Sequence, residues 1–286
     1  MLDILQLVIY GIVFGCILSL GAIGVSLTFG ILRFANFAHG DLMTVGAYLG
    51  WTLVRQLSLP FWLSLPIACL GTVAIIFTVD WLVFRHLRRR SPVILLISSF
   101  GIALILRSLV QLVWGSGQEV FRPGIQSPLE LGGLTIKLDQ LIIIGGAIVL
   151  VVALHVFLQY TKTGKGMRAM ADNIDLAKVS GINTEQMVLW TWALGAIMAC
   201  AAGMFLGLDT QLNVTMGWKV LLPIFAAAIL GGIGSPYGAI VGGLVIGLAS
   251  ELSTLVISPA YKLAVAFAIL VGMLVCRPEG LLGGRL

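Results

Sequence analysis

Apolar residues run in nine long blocks along the chain, separated by polar joints rather than by a regular alternation. The blocks cover 5–30, 42–54, 61–84, 93–114, 141–160, 187–208, 220–230, 239–255 and 263–276. A helix needs about 20 predominantly apolar residues to cross a bilayer, so most of these blocks predict spanning helices, and 42–54 and 220–230 are short for that task. Runs this long and rich in Leu, Ile, Val, Gly and Ala favour helices over the ten-residue alternation of outer-membrane barrels. The expected fold is an all-α polytopic membrane protein. Residues 1–286 form one transmembrane domain of about eight or nine transmembrane or re-entrant helices.

Composition agrees. Of 286 residues, 59% are hydrophobic and 10% are charged, against roughly 25% charged in soluble domains. The formal net charge of +5 does not point to nucleic acid, because the basic residues sit in the joints between apolar blocks. Arg85, Arg88, Arg89 and Arg90 form one cluster, and Lys162, Lys165, Arg168 and Lys178 another. Lys and Arg in short loops mark the cytoplasmic side, and two crossings separate the clusters, so they agree. The connection 115–139 then falls outside, as does the N-terminus. The first six residues carry Asp3 and no Lys or Arg, unlike a cleavable signal, so the first block is expected to remain. Cys16, Cys69, Cys200 and Cys276 lack metal-site or redox spacing and read as small buried residues.

Two stretches interrupt the helical pattern. Residues 29–51 carry Arg33, Asn36, Phe37, His39 and Asp41, and residues 226–248 gather Gly231, Gly232, Gly234, Pro236 and Gly238. Irregular backbone at membrane depth survives only where protein buries it or a watery cavity lines it, and paired interruptions of short segments point to a transport site. Asn36, Phe37, His39, Asp41, Gly231, Gly232, Gly234 and Pro236 are therefore the pathway candidates. The other reading makes the Gly/Pro stretch a surface loop and His39 a helix-end residue held by a carbonyl. Asp80, Arg107, His155 and Glu251 also lie in apolar blocks. Asp80 is within reach of the arginine loop, and Arg107 and Glu251 suit structural pairs better than solute contacts.

The most polar stretch is 161–183, within a segment taken as 161–186. If 167–180 is helical, Met167, Met170, Ile174 and Ala177 share one face. Arg168, Asp172, Asp175 and Lys178 share the other. Gly164 and Gly166 loosen the entry, and Gly181 stands where a C-terminal glycine belongs. Such a helix is too short to span. It suits a partner's groove or the lipid headgroups.

Three stretches, ANFAHGDLMTVGAYL (35–49), GKGMRAMADNIDLAKVSGIN (164–183) and AAILGGIGSPYGAIVGGLVIGLASEL (227–252), resemble the LivH-type permeases of branched-chain amino acid ABC transporters. The resemblance implies an importer with a second, LivM-like permease or a second copy, two cytoplasmic ATP-binding subunits, an external solute-binding protein and no nucleic acid partner. It implies a bacterial inner-membrane location, with membrane lipids around the chain. It makes the polar segment a coupling helix seated in the ATPase, carried by Gly164, Met167, Arg168, Met170, Asp172, Ile174, Ala177 and Gly181. The chain lacks a GxxxxGK[ST] loop, so ATP and Mg are expected on the partner subunits, with no cofactor or metal here and no enzymatic role. The implied cargo is a branched-chain or other neutral, hydrophobic amino acid, with urea or short-chain amides as the alternative within the family. A stand-alone secondary transporter would need Asp41 or Glu251 to bind a driving ion. A passive channel would need a selectivity ring, and no constellation for a membrane enzyme is present.

Overall fold

A computed structural model describes residues 2–88, 90–121, 129–131, 134–277 and 280–282. The helices in chain order are α1 (Leu2–Leu32), α2 (Ala38–Arg55), α3 (Phe61–Leu87), α4 (Pro92–Trp114), α5 (Leu138–Tyr160), α6 (Lys162–Asp172), α7 (Ile174–Val179), α8 (Thr184–Asp209), α9 (Met216–Gly231), α10 (Pro236–Leu252) and α11 (Lys262–Cys276). Among the described residues, seven helices are long and apolar enough to span a membrane, and α9 is a shorter apolar helix. The all-α expectation holds apart from one small hairpin. Strands β1 (Leu129–Leu131) and β2 (Leu134–Ile136) pair antiparallel, with Leu129 opposite Ile136.

Burial separates an inner bundle from an outer layer. In α8, 94% of the best apolar window is buried and in α1 72%, whereas α3 and α4 reach 33%, α5 28% and α11 6%. The outer helices are apolar all round, as membrane helices facing lipid or another subunit must be. Where α1 meets α10, the interface is built from small residues: Gly11 lies on Leu248 and Gly15 on Leu244. The Ser19 hydroxyl donates to the Ile240 carbonyl at 2.9 Å. Small side chains let backbones close up where lipid gives no hydrophobic drive for association.

Loop contacts group the segments at the two ends of the bundle. At one end Arg88 pairs with Glu185 at 2.6 Å, joining the first basic cluster to the foot of α8 beyond the second. At the other end the Gln6 amide bonds Thr135 in both directions, at 2.8 and 3.0 Å, and Glu119 and Leu212 exchange backbone hydrogen bonds. The N-terminus, Glu119 and Thr135 therefore share the end of the bundle opposite the basic clusters.

Candidate functional site

The chain leaves α1 at Leu32, and Arg33 turns it with a φ of 59°. Residues 33–37 are irregular, and α2 starts at Ala38. Asn36 Oδ1 accepts from the Ala38 amide at 3.1 Å, and the Phe37 amide donates to Ser99 Oγ at 3.0 Å. His39 packs its ring on Gly24, where an added Cβ would stand 2.5 Å from His39 Cε1. Gly24 is eight residues from the end of α1, so α2 begins beside α1 about 12 Å back from that end at 1.5 Å per residue. One turn on, the fully buried Asp41 carboxylate receives Arg107 through Nε and Nη2, both at 3.0 Å. This two-pronged geometry is the strong form of a carboxylate–guanidinium pair.

A second break lies at residues 210–215, between α8 and α9. At Gly217 an added Cβ would stand 1.8 Å from the Gly40 carbonyl oxygen, and the Gly217 amide donates to Thr44 Oγ1 at 3.1 Å. No residue with a side chain fits there. Two helix N-termini, those of α2 and α9, thus converge, and each carries partial positive charge from N–H groups that have no partner within their own helix. Trp218 on α9 covers the pair: the Arg107 guanidinium carbon is 4.9 Å from its ring centre. Phe37 sits 5.4 Å from Phe225, 6.4 Å from Phe100 and 6.5 Å from Trp218. Phe100 and Leu222 are each 41% exposed, so this aromatic wall faces out of the chain with one neutralised cation at its edge. The surface suits an apolar side chain and offers no free charge.

Two ties run from the polar segment to the helices at the breaks. Arg33 donates to the Ala171 carbonyl near the end of α6 at 2.6 Å. Arg168 donates to Gln159 at 2.9 Å, Gln159 to the Tyr237 hydroxyl at 3.2 Å, and that hydroxyl meets His155 Nδ1 at 2.9 Å. Tyr237 belongs to the first turn of α10.

The family profile described as "Branched-chain amino acid transport system / permease component" matches residues 7–274. The chain belongs to this permease family. The permease is 32% identical to the high-affinity branched-chain amino acid transport system permease protein LivH of Escherichia coli, over 98% of this chain and 95% of that one. It is 30% identical to BraD of Pseudomonas aeruginosa, a permease protein of the same description, with the same coverage. A solved structure, PsaBC from Streptococcus pneumoniae in complex with Fab, superposes with a TM-score of 0.53 at 15% identity, covering 96% of this chain and 92% of that one. That likeness concerns the fold. The molecule is a multi-pass permease of the ABC importer class.

The permease departs from its sequence reading in three places. The polar segment is not one helix over 167–180. Asn173 takes an extended conformation and its side chain accepts from the Leu176 amide, capping α7 separately, as Asn at an N-cap does. Nor do the methionines face a partner: Met167 is 1% exposed, Met170 2% and Ala177 3%, all turned into the permease itself. Gly164 is pressed on the α5 backbone at Phe157 and Leu158, and Gly166 on Met187. What protrudes is Asp172, Ile174, Leu176 and Val179, the last at 85% exposure. Gly181, with φ +82°, fills the expected C-terminal position.

The third departure concerns the glycine-rich stretch. Gly231, Gly232, Gly234 and Pro236 form a turn beside α1, where the Gly234 amide donates to Ser26 Oγ at 3.1 Å, two residues from the Gly24 that carries His39. Gly232 (φ 108°) and Gly234 (φ 90°) make the tight turn from α9 to α10, and Gly234 lies on Gly30, two residues from the cytoplasmic end of α1. The Leu281 and Leu282 amides bond Leu230 and Gly231 over this turn. The break whose following helix meets α2 is 210–215, signalled by the polar run from Asp209 to Thr215 ahead of an apolar block too short to span. Trp218, Phe100 and Phe225 carried no such signal, since an aromatic in an apolar run is indistinguishable from packing. The remaining ionisable residues are paired. Asp80 holds Arg88 and the Trp192 Nε1, Glu251 holds Lys262 through both oxygens at 2.7 Å, and His155 meets Tyr237.

Proposed function

We propose that this permease carries branched-chain or other neutral, hydrophobic amino acids across the cytoplasmic membrane along the wall formed by Phe37, Phe100, Trp218 and Phe225. A second permease, either LivM-like or another copy of this chain, closes the route from the other side. An external binding protein delivers the solute. Two cytoplasmic subunits bind ATP and Mg, hydrolyse the nucleotide, and dock on the protruding α7 with the end of α6.

The observation that carries the reading is the Arg33 tie. The last turn of α6 is bonded to the residue that opens the first break, so a displacement of the docked segment reaches Asn36 and Phe37 within a few residues. Asn36 Nδ2 and His39 Nε2 are buried without a hydrogen-bond partner among the described residues. Unmet buried polar groups cost about 1–3 kcal/mol each, which favours a second arrangement of the break. A transporter needs two such states with different contacts. Cargo follows the relatives' printed descriptions and the uncharged, aromatic character of the wall.

A stand-alone secondary transporter fares worse. Its two possible ion carriers, Asp41 and Glu251, are already bound by Arg107 and Lys262. Proteoliposomes holding the full assembly test the proposal: leucine uptake should require ATP inside the compartment facing α7 and should fail with the permease alone. Gradient-driven uptake by the permease alone would overturn it.

A further inference from the structure

A cavity of about 520 Å³ opens at the outer end of the bundle, on the far side of α9 from the aromatic wall. Its mouth is formed where Lys137 precedes α5, Asp209 ends α8, Glu251 nears the end of α10 and Lys262 begins α11. Phe14, Leu206, Val220 and Pro223 give it an apolar lining, to which Gln140, Thr210 and Ser250 add uncharged polar groups. The volume lies within the roughly 300–1,000 Å³ typical of small-molecule sites, which pair an apolar lining with a few polar groups.

The charges at the mouth define a ligand. Glu251 and Lys262 neutralise each other at 2.7 Å. That leaves the Asp209 carboxylate with the ammonium groups of Lys137 and Lys219. Among the described residues none of these three side chains forms an ion pair. A molecule with its own ammonium and carboxylate would meet Asp209 with the first and the lysines with the second, while an apolar tail fills the cavity. A simple cation would face the ammonium groups of Lys137 and Lys219, and a phosphate-bearing lipid headgroup would face the Asp209 carboxylate. We propose that this cavity is an outward-facing binding site for a zwitterionic amino acid with an apolar side chain, separate from the route along Phe37 and Trp218. The inference rests on the cargo class proposed above. Because Lys219, Val220 and Pro223 line the cavity while Trp218 and Phe225 line the wall, α9 would register occupancy on both faces.

The test uses the complete permease–ATPase assembly in nanodiscs, without external binding protein and without ATP. Binding of radiolabelled leucine is measured for the native assembly and for Asp209→Asn, Lys219→Gln, Phe37→Ala and Val113→Ala, the last an exposed position on α4. Saturable binding should weaken about tenfold or more in the first two variants, about 1.4 kcal/mol per tenfold, and stay unchanged in Val113→Ala. 4-Methylpentanoate, which lacks the ammonium, and leucinol, which lacks the carboxylate, should compete poorly. Absence of binding, binding indifferent to Asp209 and Lys219, or binding lost only in Phe37→Ala would overturn the site. ATP-driven leucine uptake, measured in parallel with the binding protein supplied, separates the two claims. Uptake without Asp209-dependent binding sinks the cavity alone, whereas Asp209-dependent binding without uptake keeps the cavity and sinks the cargo assignment.

Discussion

The guanidinium of Arg33 donates a 2.6 Å hydrogen bond to the main-chain carbonyl of Ala171. It joins the hinge after α1 to the C-terminal end of α6, where unpaired carbonyls and the helix dipole favour a cation. Arg33 holds φ at 59°, in the left-handed region that costs a non-glycine residue of order 1–3 kcal/mol when the surroundings enforce it. The contact is therefore the point where the polar segment touches the first break.

Replacing Arg33 with Gln removes a hydrogen bond from a charged donor, worth about 1.5–3 kcal/mol. ATPase subunits should still co-purify, and ATP hydrolysis should persist. Solute moved per ATP should fall on the order of tenfold. Uptake and hydrolysis measured on the same proteoliposomes check this, and an unchanged ratio would leave Arg33 a structural residue.

The polar segment should respond differently on its two sides. Val179→Asp and Leu176→Asp alter exposed positions and should detach the ATPases while the permease inserts normally. Met170→Asp places a carboxylate at a 2% exposed position and should destabilise the permease itself, because an unpaired buried charge is costly. Membrane yield and ATPase pull-down distinguish the outcomes.

The helical periodicity of this segment was legible in the sequence, and so were its glycine ends. Which face turned inward was not. In a soluble helix the apolar stripe marks the buried side, but here Met170 packs beneath α8 while Ile174, beyond the Asn173 cap, points out, so one stripe serves two surfaces. The spans and the polar break at Asn36–Asp41 were readable because bilayer thickness leaves few alternatives. The meeting of Gly40 with Gly217 was not, since it joins residues far apart in the chain and glycines abound throughout.

The Asp41–Arg107 pair gives a second stability test. Asp41→Asn or Arg107→Gln alone leaves one buried group without its partner and should cost about 3–5 kcal/mol. The double variant should be more stable than the sum of the two losses predicts. Thermal unfolding in detergent reports all three, and additive losses would show that the pair is not coupled.

Packing at the second break predicts a steep dependence on size. Gly217→Ala puts a methyl group 1.8 Å from the Gly40 oxygen and should impair folding or transport, whereas Gly101→Ala and Gly145→Ala, with nothing within 4 Å, should be neutral. Folded yield and uptake of the three variants decide it, and a benign Gly217→Ala would show that α2 and α9 are free to separate.

The central claim is that an ATP-hydrolysing subunit drives this permease through α7. Its most direct test is a crosslinker on Val179→Cys in the reconstituted assembly, with uptake recorded before and after. The account predicts a crosslink to the ATPase and loss of ATP-driven leucine uptake that reverses on cleavage. Capture of lipid alone, or full uptake with the ATPase absent, would contradict it.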